Sequence, residues 1–315
     1  MLKSVPFVSP ETGGPLTHED DALVAGAERF PVRDGIPRFV AGSDYVESFG
    51  EQWNRYRRVQ LDSETAKPLT RERFAVGTGW SHADLEGRTV LDAGCGAGRF
   101  TEVLLAEGAL VWAVDASSAV DACLTNNANE RLTVAQADLF HLPFPEASFE
   151  RVFCYGVLQH TPDPRAAFLK LVRYAAPGGW IAMDVYRKLP YVDRWSSKLL
   201  WRPLTKRLPR DALRRLIEWY VPRWLPIDTR LARVPKVGRF LVAAVPCWNY
   251  TGLLDLDHDE LVAWAVLDTF DALAPTYDKP QTVESVQEWC TAAGLAEVDV
   301  RYGGNGVLIN ARVPD

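Results

Sequence analysis

Paired cysteines are missing from this sequence. Its five cysteines, at 95, 123, 154, 247 and 290, are scattered without a C-x-x-C pair. That argues against a disulfide framework or a zinc site and for reduced thiols. Long apolar runs are missing too: none reaches ~18 residues, the length of a membrane span. The first residues lack the hydrophobic stretch of a secretory signal, so the expectation is a cytoplasmic chain with no transmembrane segment. Basic charge is not in excess. With 35 Lys and Arg against 41 Asp and Glu, the formal net charge is −6, and a duplex-binding surface is disfavoured, so DNA is not an expected partner. What remains is globular in character. The 315 residues are 47% hydrophobic, enough for one large or two modest domains with a real core.

The informative stretch is Val90-Leu91-Asp92-Ala93-Gly94-Cys95-Gly96-Ala97-Gly98-Arg99-Phe100. It reads as a buried strand, a tight turn with glycine at alternate positions, and the first turn of a helix. Open α/β sheets bind nucleotide-like ligands at such turns, at the carboxyl ends of parallel strands. The dinucleotide fingerprint G-x-G-x-x-G requires glycine at position 99, where Arg99 stands, and Gly98 comes one place early. A nicotinamide oxidoreductase is therefore disfavoured. From residue 89 strand and helix patterns alternate. Strands are predicted over 90–92, 110–115, 132–136, 149–155 and 180–186, and helices over 100–107, 119–126 and 164–174. After a long interruption come a helix over 282–293 and two closing strands over 295–302 and 306–312. This succession predicts an α/β fold with a parallel, doubly wound sheet.

The G-x-G-x-G string after Asp92 resembles motif I of the class I S-adenosylmethionine (SAM) dependent methyltransferases, and the resemblance covers about residues 43–186 and 265–312. It implies a Rossmann-like sheet of seven strands whose last strand inserts antiparallel. It also implies SAM as cofactor and transfer of a methyl group to an O, N or C nucleophile of a small or medium-sized metabolite. Asp92, Gly94, Gly96 and Gly98 would then frame the methionine end of SAM, with Cys95 as a space-filling neighbour. Asp115, 21 residues after Gly94, ends the second strand, where a carboxylate can accept from both ribose hydroxyls; Ala116 follows it. Asp138 and the Leu139 backbone match the adenine contacts, and Tyr155 a position that lines the cofactor. The loop Gly156-Val157-Leu158-Gln159-His160-Thr161-Pro162 resembles that of quinone-type methyltransferases. His160 is its general-base candidate, because histidine titrates near neutrality; the alternative is a structural hydrogen bond.

The flanks read differently. Residues 1–42 are rich in turns, and Arg29-Phe30-Pro31-Val32-Arg33-Asp34-Gly35-Ile36-Pro37 resembles the small zinc-ribbon module that precedes many bacterial methyltransferases. With no cysteine before position 95, that module's ligands are gone, and no metal is expected. Residues 43–62 read as a helix, with Trp53 and Gln60 candidates for the cofactor mouth. The cofactor domain is expected over 43–186 and 282–315, with 187–281 as a mainly helical cap between strand five and the last helix, far too long for a loop. Residues 194–215 hold eight Lys and Arg against Asp211 alone. Solvated helix faces explain such a run, as do an anionic substrate, a membrane surface or RNA. Trp248, Tyr250, Trp264, Phe270 and Tyr277 suit either an acceptor with an apolar or aromatic part or the cap's own core. A non-catalytic SAM-binding protein and an RNA methyltransferase stand as alternatives.

Overall fold

The structure, a computed structural model, describes residues 4–40, 50, 54–188, 197–236, 238–304 and 306–315. Among these, β1 (Thr17–Glu19), β2 (Ala22–Ala25), β3 (Glu28–Arg33) and β4 (Ile36–Pro37) form an antiparallel sheet in that order. The second sheet holds β5 (Thr89–Ala93), β6 (Leu110–Asp115), β7 (Leu132–Gln136), β8 (Phe149–Cys154), β9 (Ala175–Val185), β10 (Ala296–Tyr302) and β11 (Val307–Arg312). Its order is β10-β11-β9-β8-β5-β6-β7. Strands β5 to β9 run parallel, and β11 enters antiparallel between β9 and β10. The expected seven-stranded Rossmann-like sheet is therefore present. The longer helices are α1 (Leu69–Thr78), α2 (Arg99–Ala106), α3 (Ala119–Asn126), α4 (Pro164–Val172), α5 (Ser197–Thr205), α6 (Arg210–Ala232), α7 (His258–Leu273) and α8 (Val283–Ala292).

The chain divides into two compact units. One comprises Met1–Asp62, Ala66–Lys188 and Lys279–Asp315 and holds both sheets. Its central strands are covered on both faces, which is why they are almost continuously apolar. Leu91, Trp112, Val152 and Ile181 point to a layer shared with Phe168 of α4 and Trp289 of α8. Their neighbours Val90, Val111, Phe153 and Ala182 point the other way, to Phe74 of α1, Phe100 and Leu104 of α2 and Cys123 of α3. Helix starts follow local chemistry. Asp163 caps α4 by accepting from the Ala166 amide, with Pro164 in the first turn. Asp62 caps α1 from a distance, accepting from the Thr70 and Arg71 amides at 2.7 and 2.9 Å.

Two local expectations change. The strand predicted over 180–186 begins earlier, at Ala175, and takes in Pro177-Gly178-Gly179. Phe149 pairs with Ala175 and Arg151 with Trp180, so the residues between bulge outward, and Gly178 at φ 71° takes the left-handed bend. The helix predicted over 43–62 is not continuous. Residues 54–55 are helical and 56–60 form a turn, with Val59 and Leu61 amides bonded to the Tyr56 and Arg58 carbonyls. Tertiary partners win there: the Gln60 carbonyl accepts from the Thr70 hydroxyl at 3.0 Å and its side chain from Arg99 at 2.9 Å.

The second unit, Leu189–Asp278 with Ser63–Thr65, is helical among the described residues. On α6, Leu213, Ile217, Val221 and Leu225 are buried at four-residue intervals, one stripe of the helix. Helix α7 packs against α6 and buries Leu261, Trp264 and Phe270. Trp264 and Phe270 are thus core residues, while Trp248, Tyr250 and Tyr277 are half-buried.

The Asp62 cap is directly testable. Asp62→Ala removes the acceptor of both α1 amides and is expected to lower unfolding stability by about 1 kcal/mol. Urea titration of the two proteins reads the difference, and coincident curves would show that the cap contributes nothing net.

Candidate active site

The turn between β5 and α2 holds three left-handed glycines, Gly94 at φ 81°, Gly96 at 52° and Gly98 at 87°. Only glycine adopts such angles without strain. Space is equally restrictive: a Cβ on Gly94 would collide with Val157 of the loop after β8, and one on Gly98 with Asn127 and Cys123. Both Gly94 and Cys95 amides donate to the Val114 carbonyl, at 2.7 and 2.9 Å. Asn126 and Asn127, at the end of α3, donate to the Ala97 and Gly98 carbonyls at 2.9 and 3.0 Å. Arg99 reaches back with Nε to the Thr70 hydroxyl and Nη1 to Gln60 Oε1, each at 2.9 Å. The arginine that breaks the dinucleotide fingerprint therefore ties two preceding segments to the turn.

Three carboxylates follow the sheet order β5, β6, β7. Asp92 of β5 is buried and accepts from the Thr101 hydroxyl at 2.6 Å. Burial pushes its carboxyl up to about 7; the Thr101 hydrogen bond pulls it down, and the charge of Asp115 adds to the rise. Asp115 ends β6 half-buried. Its Oδ1 accepts from the Ser117 amide and hydroxyl at 2.8 and 2.6 Å, and its Oδ2 from the Gly96 amide at 3.1 Å. Burial raises this carboxyl as well, against those donors. Asp138, two residues past β7, accepts from the Phe140 amide at 3.0 Å. Leu139 is buried beside it, and the Ala116 carbonyl accepts from Gln136 Nε2 at 2.9 Å.

The loop after β8 closes against the turn through Val157. Its Gly156 amide donates to Asp184 Oδ1 at 2.5 Å, and Arg73 of α1 pairs with Asp184 Oδ2 at 3.2 Å. Tyr155 stacks on Phe153 with ring centroids 4.5 Å apart. Its hydroxyl sits under Gly77, 2.6 Å from where a Cβ would be, and burial pushes its pKa up, so the phenol stays neutral. His160 lies buried in a single 3₁₀ turn, Leu158–His160, its ring and that of Tyr186 nearly perpendicular with centroids 5.4 Å apart. The neighbouring Gln159 accepts from the Tyr186 amide at 3.3 Å. Burial also pushes the Cys95 thiol well up, its neighbour Cys123 adding to the shift, so it is no thiolate nucleophile.

The structure brings the Gly94–Gly98 turn and Asp115 into one hydrogen-bonded edge, with Asp92 at the end of β5 before it, Ala116 beside Asp115, and Asp138 and Leu139 past the end of the next strand, β7. Gln60 is engaged by Arg99, and Trp53 lies outside the described residues. Thr101, Asn126, Asn127, Ser117 and Asp184 escape the sequence reading. Ser117 follows Asp115 in a D-x-S turn, and Asp184 is a lone charge within Ile181-Ala182-Met183-Asp184-Val185; both carry a readable signal. Thr101 and the asparagines carry none, because only the packing of α2 and α3 aims them. Among the described residues no group of three or more His, Cys, Asp or Glu is placed to hold a metal ion.

The order of the seven-stranded sheet is that of the class I SAM-dependent methyltransferase fold, and SAM is the cofactor of that class. Residues 91–183 match the family model described as a methyltransferase domain. The ubiquinone biosynthesis O-methyltransferase of Paracidovorax citrulli is 31% identical over 144 residues, 40% of this chain and 55% of the relative. Its counterpart from Methylococcus capsulatus is 32% identical over 140 residues, 43% of this chain and 58% of the relative. The chain thus spans little more than half the length of these relatives. Among solved structures, magnesium protoporphyrin IX methyltransferase from Synechocystis aligns with a TM-score of 0.46 at 16% identity, over 86% of this chain and 97% of that one.

The residues fit SAM on physical grounds. A carboxylate buried as Asp92 is costly alone, and a cation beside it offsets that cost. Backbone without Cβ atoms lets a ligand approach the turn closely.

Asp92 also makes the chain's stability depend on pH. An unfolded Asp titrates near ~4, whereas burial raises the native group to about 7. Between those values the native state holds a proton that the unfolded state has released. Native stability therefore falls as pH rises through this window, and the loss is complete above it. Without ligand, the thermal midpoint should decline from pH 5 to pH 8 more steeply in the native sequence than in Asp92→Asn. Parallel declines would remove Asp92 as the cause.

Proposed function

We propose that this chain is a SAM-dependent methyltransferase that alkylates an O, N or C nucleophile of a small or medium-sized metabolite. The observation that carries this reading is the alignment of Asp92, Asp115 and Asp138 at neighbouring strand ends around a left-handed glycine turn. Bound SAM supplies an electrophilic methyl group on a cationic sulfonium. In this reading Asp92 attracts the methionine ammonium, Asp115 accepts from the ribose hydroxyls and Asp138 from the adenine amine, with the Leu139 backbone beside it. Gly94, Gly96 and Gly98 leave room for the ligand, Cys95 and Ala116 complete the wall, and Tyr155 holds the α1 side of the floor. Alignment and water exclusion then do most of the work, because positive charge is dispersed rather than created.

His160 is assigned the proton. Its buried ring in the loop after β8 would take the proton lost by an acceptor hydroxyl or amine at an imidazole nitrogen. Support for an acceptor with an apolar or aromatic part comes from the two ubiquinone-pathway relatives, whose names give their own substrate class.

Two measurements test the assignments. Asp115→Ala should weaken S-adenosylhomocysteine binding by ~1–3 kcal/mol, the loss of charged hydrogen bonds, read by calorimetry; unchanged affinity would take Asp115 out of the site. For His160, the readout is the pH profile of turnover with an accepted methyl acceptor. His160→Ala should abolish the acidic limb and lower kcat by ~10²-fold or more with cofactor affinity intact. Retention of that limb would make His160 a positioning residue.

A further inference from the structure

Helix α5 is amphipathic in the inverse sense: it buries its polar stripe and exposes its apolar one. Lys198, Arg202 and Thr205 recur at i, i+4 and i+7. Lys198 pairs with Asp278 at 2.9 Å. Arg202, only 9% exposed, donates to the Ala272 and Pro275 carbonyls at 3.1 and 2.5 Å. Thr205 donates to the Leu273 carbonyl at 3.1 Å. This stripe satisfies carbonyls at the carboxyl end of α7, where a cation is favoured. The opposite side then turns outward, with Leu200 at 49% and Leu204 at 64% exposure. A helix that served only its own core would face the other way.

Helix α6 adds a second outer stripe of a different kind. Trp219 is 60% exposed, with Leu216 and Ile227 also exposed. Arg223 and, beyond Ile227, Arg230 are exposed on the same helix, and the Arg223 guanidinium lies 5.3 Å over the Trp219 ring. Charge runs one way here. From 197 to 242 twelve Lys and Arg stand against Asp211, Glu218 and Asp228. Asp228 is buried, and Arg214 pairs with the other two at 2.9 and 3.4 Å. Lys198 and Arg202 are turned inward, but exposed Lys206, Arg207, Arg215, Arg223, Arg230 and Arg233 leave the outer side of this stretch basic in a chain of net charge −6.

We infer that the second unit docks on an anionic lipid surface through these exposed stripes, with the leucines and Trp219 entering the headgroup boundary and the arginines at phosphate level. Apolar side chains rimmed by arginine, with a tryptophan among them, are the composition of an interfacial helix. None of the described helices is long and apolar enough to cross a membrane, so the contact is with the surface. A second copy of the chain fits less well, because two such faces would bring like charges together. A single-stranded nucleic acid would use the arginines and Trp219 but leave the leucine stripe of α5 uncovered.

Co-sedimentation of the full chain with sucrose-loaded vesicles tests this independently of methyl transfer, so it can fail without touching the proposed activity. Vesicles of phosphatidylcholine alone are compared with equimolar phosphatidylcholine and phosphatidylglycerol. Binding to the anionic vesicles should exceed that to neutral ones by about tenfold and weaken at high salt. Leu200→Glu with Leu204→Glu alters exposed positions only and should lower it by about tenfold or more, with circular dichroism and S-adenosylhomocysteine affinity unchanged. Arg223→Glu with Arg230→Glu, also at the surface, should remove the preference for anionic lipid. Absence of that preference, or undiminished pelleting of the leucine variant, would overturn the inference. So would a dimer in vesicle-free solution that the leucine variant dissociates, or retention by RNA in place of vesicles.

Discussion

The close approach of the turn after β5 to its surroundings is the constraint on which this site rests. Left-handed glycines at alternate positions bring backbone against Val157 at Gly94 and against Asn127 and Cys123 at Gly98. Nothing larger than hydrogen fits at Gly94 or Gly98. The result is an edge where main-chain amides, not side chains, set the shape. Two of those amides, of Gly94 and Cys95, donate to the Val114 carbonyl, and a third, of Gly96, to Asp115. The turn therefore adds hydrogen bonds between the ends of β5 and β6 to those of the ladder itself.

Buried charge is the second constraint, and it is managed with hydroxyls and amides. Thr101 serves Asp92, Ser117 and Gly96 serve Asp115, and the Gly156 amide with Arg73 serves Asp184. Carboxyls held this way stay poised above their ordinary range where burial dominates, as at Asp92 and Asp115. Such poise costs the ligand-free protein stability and favours a cationic ligand, which links the energetics of the fold to the chemistry proposed for the site. The same logic separates Cys95 from catalysis, since its burial suppresses the thiolate.

In the second unit, the polar side of α5 is consumed at the end of α7. A basic run that reads as solvated charge is partly internal, Arg202 above all. The leucines between those charges are what meets the surroundings. Composition is the same in either arrangement; only the direction of the helix face differs.

Much of the cofactor unit is legible from local pattern alone. Strands covered on both faces must be continuously apolar, so β5, β6, β8 and the later part of β9 announce themselves, and glycine spacing with Arg99 separates a SAM turn from a dinucleotide one. The bulge at Pro177-Gly178-Gly179, the turn at 56–60, and the aim of Thr101, Asn126 and Asn127 are decided by partners remote in the chain. So is the outward face of α5. Sequence by itself determined the order of elements, the glycine turn and the carboxylates that follow the strands, because these depend on covalent spacing and local backbone freedom. Tertiary structure alone decided which side chain faces which, since a helix with usable residues on both sides is oriented only by the carbonyls and carboxylates it meets.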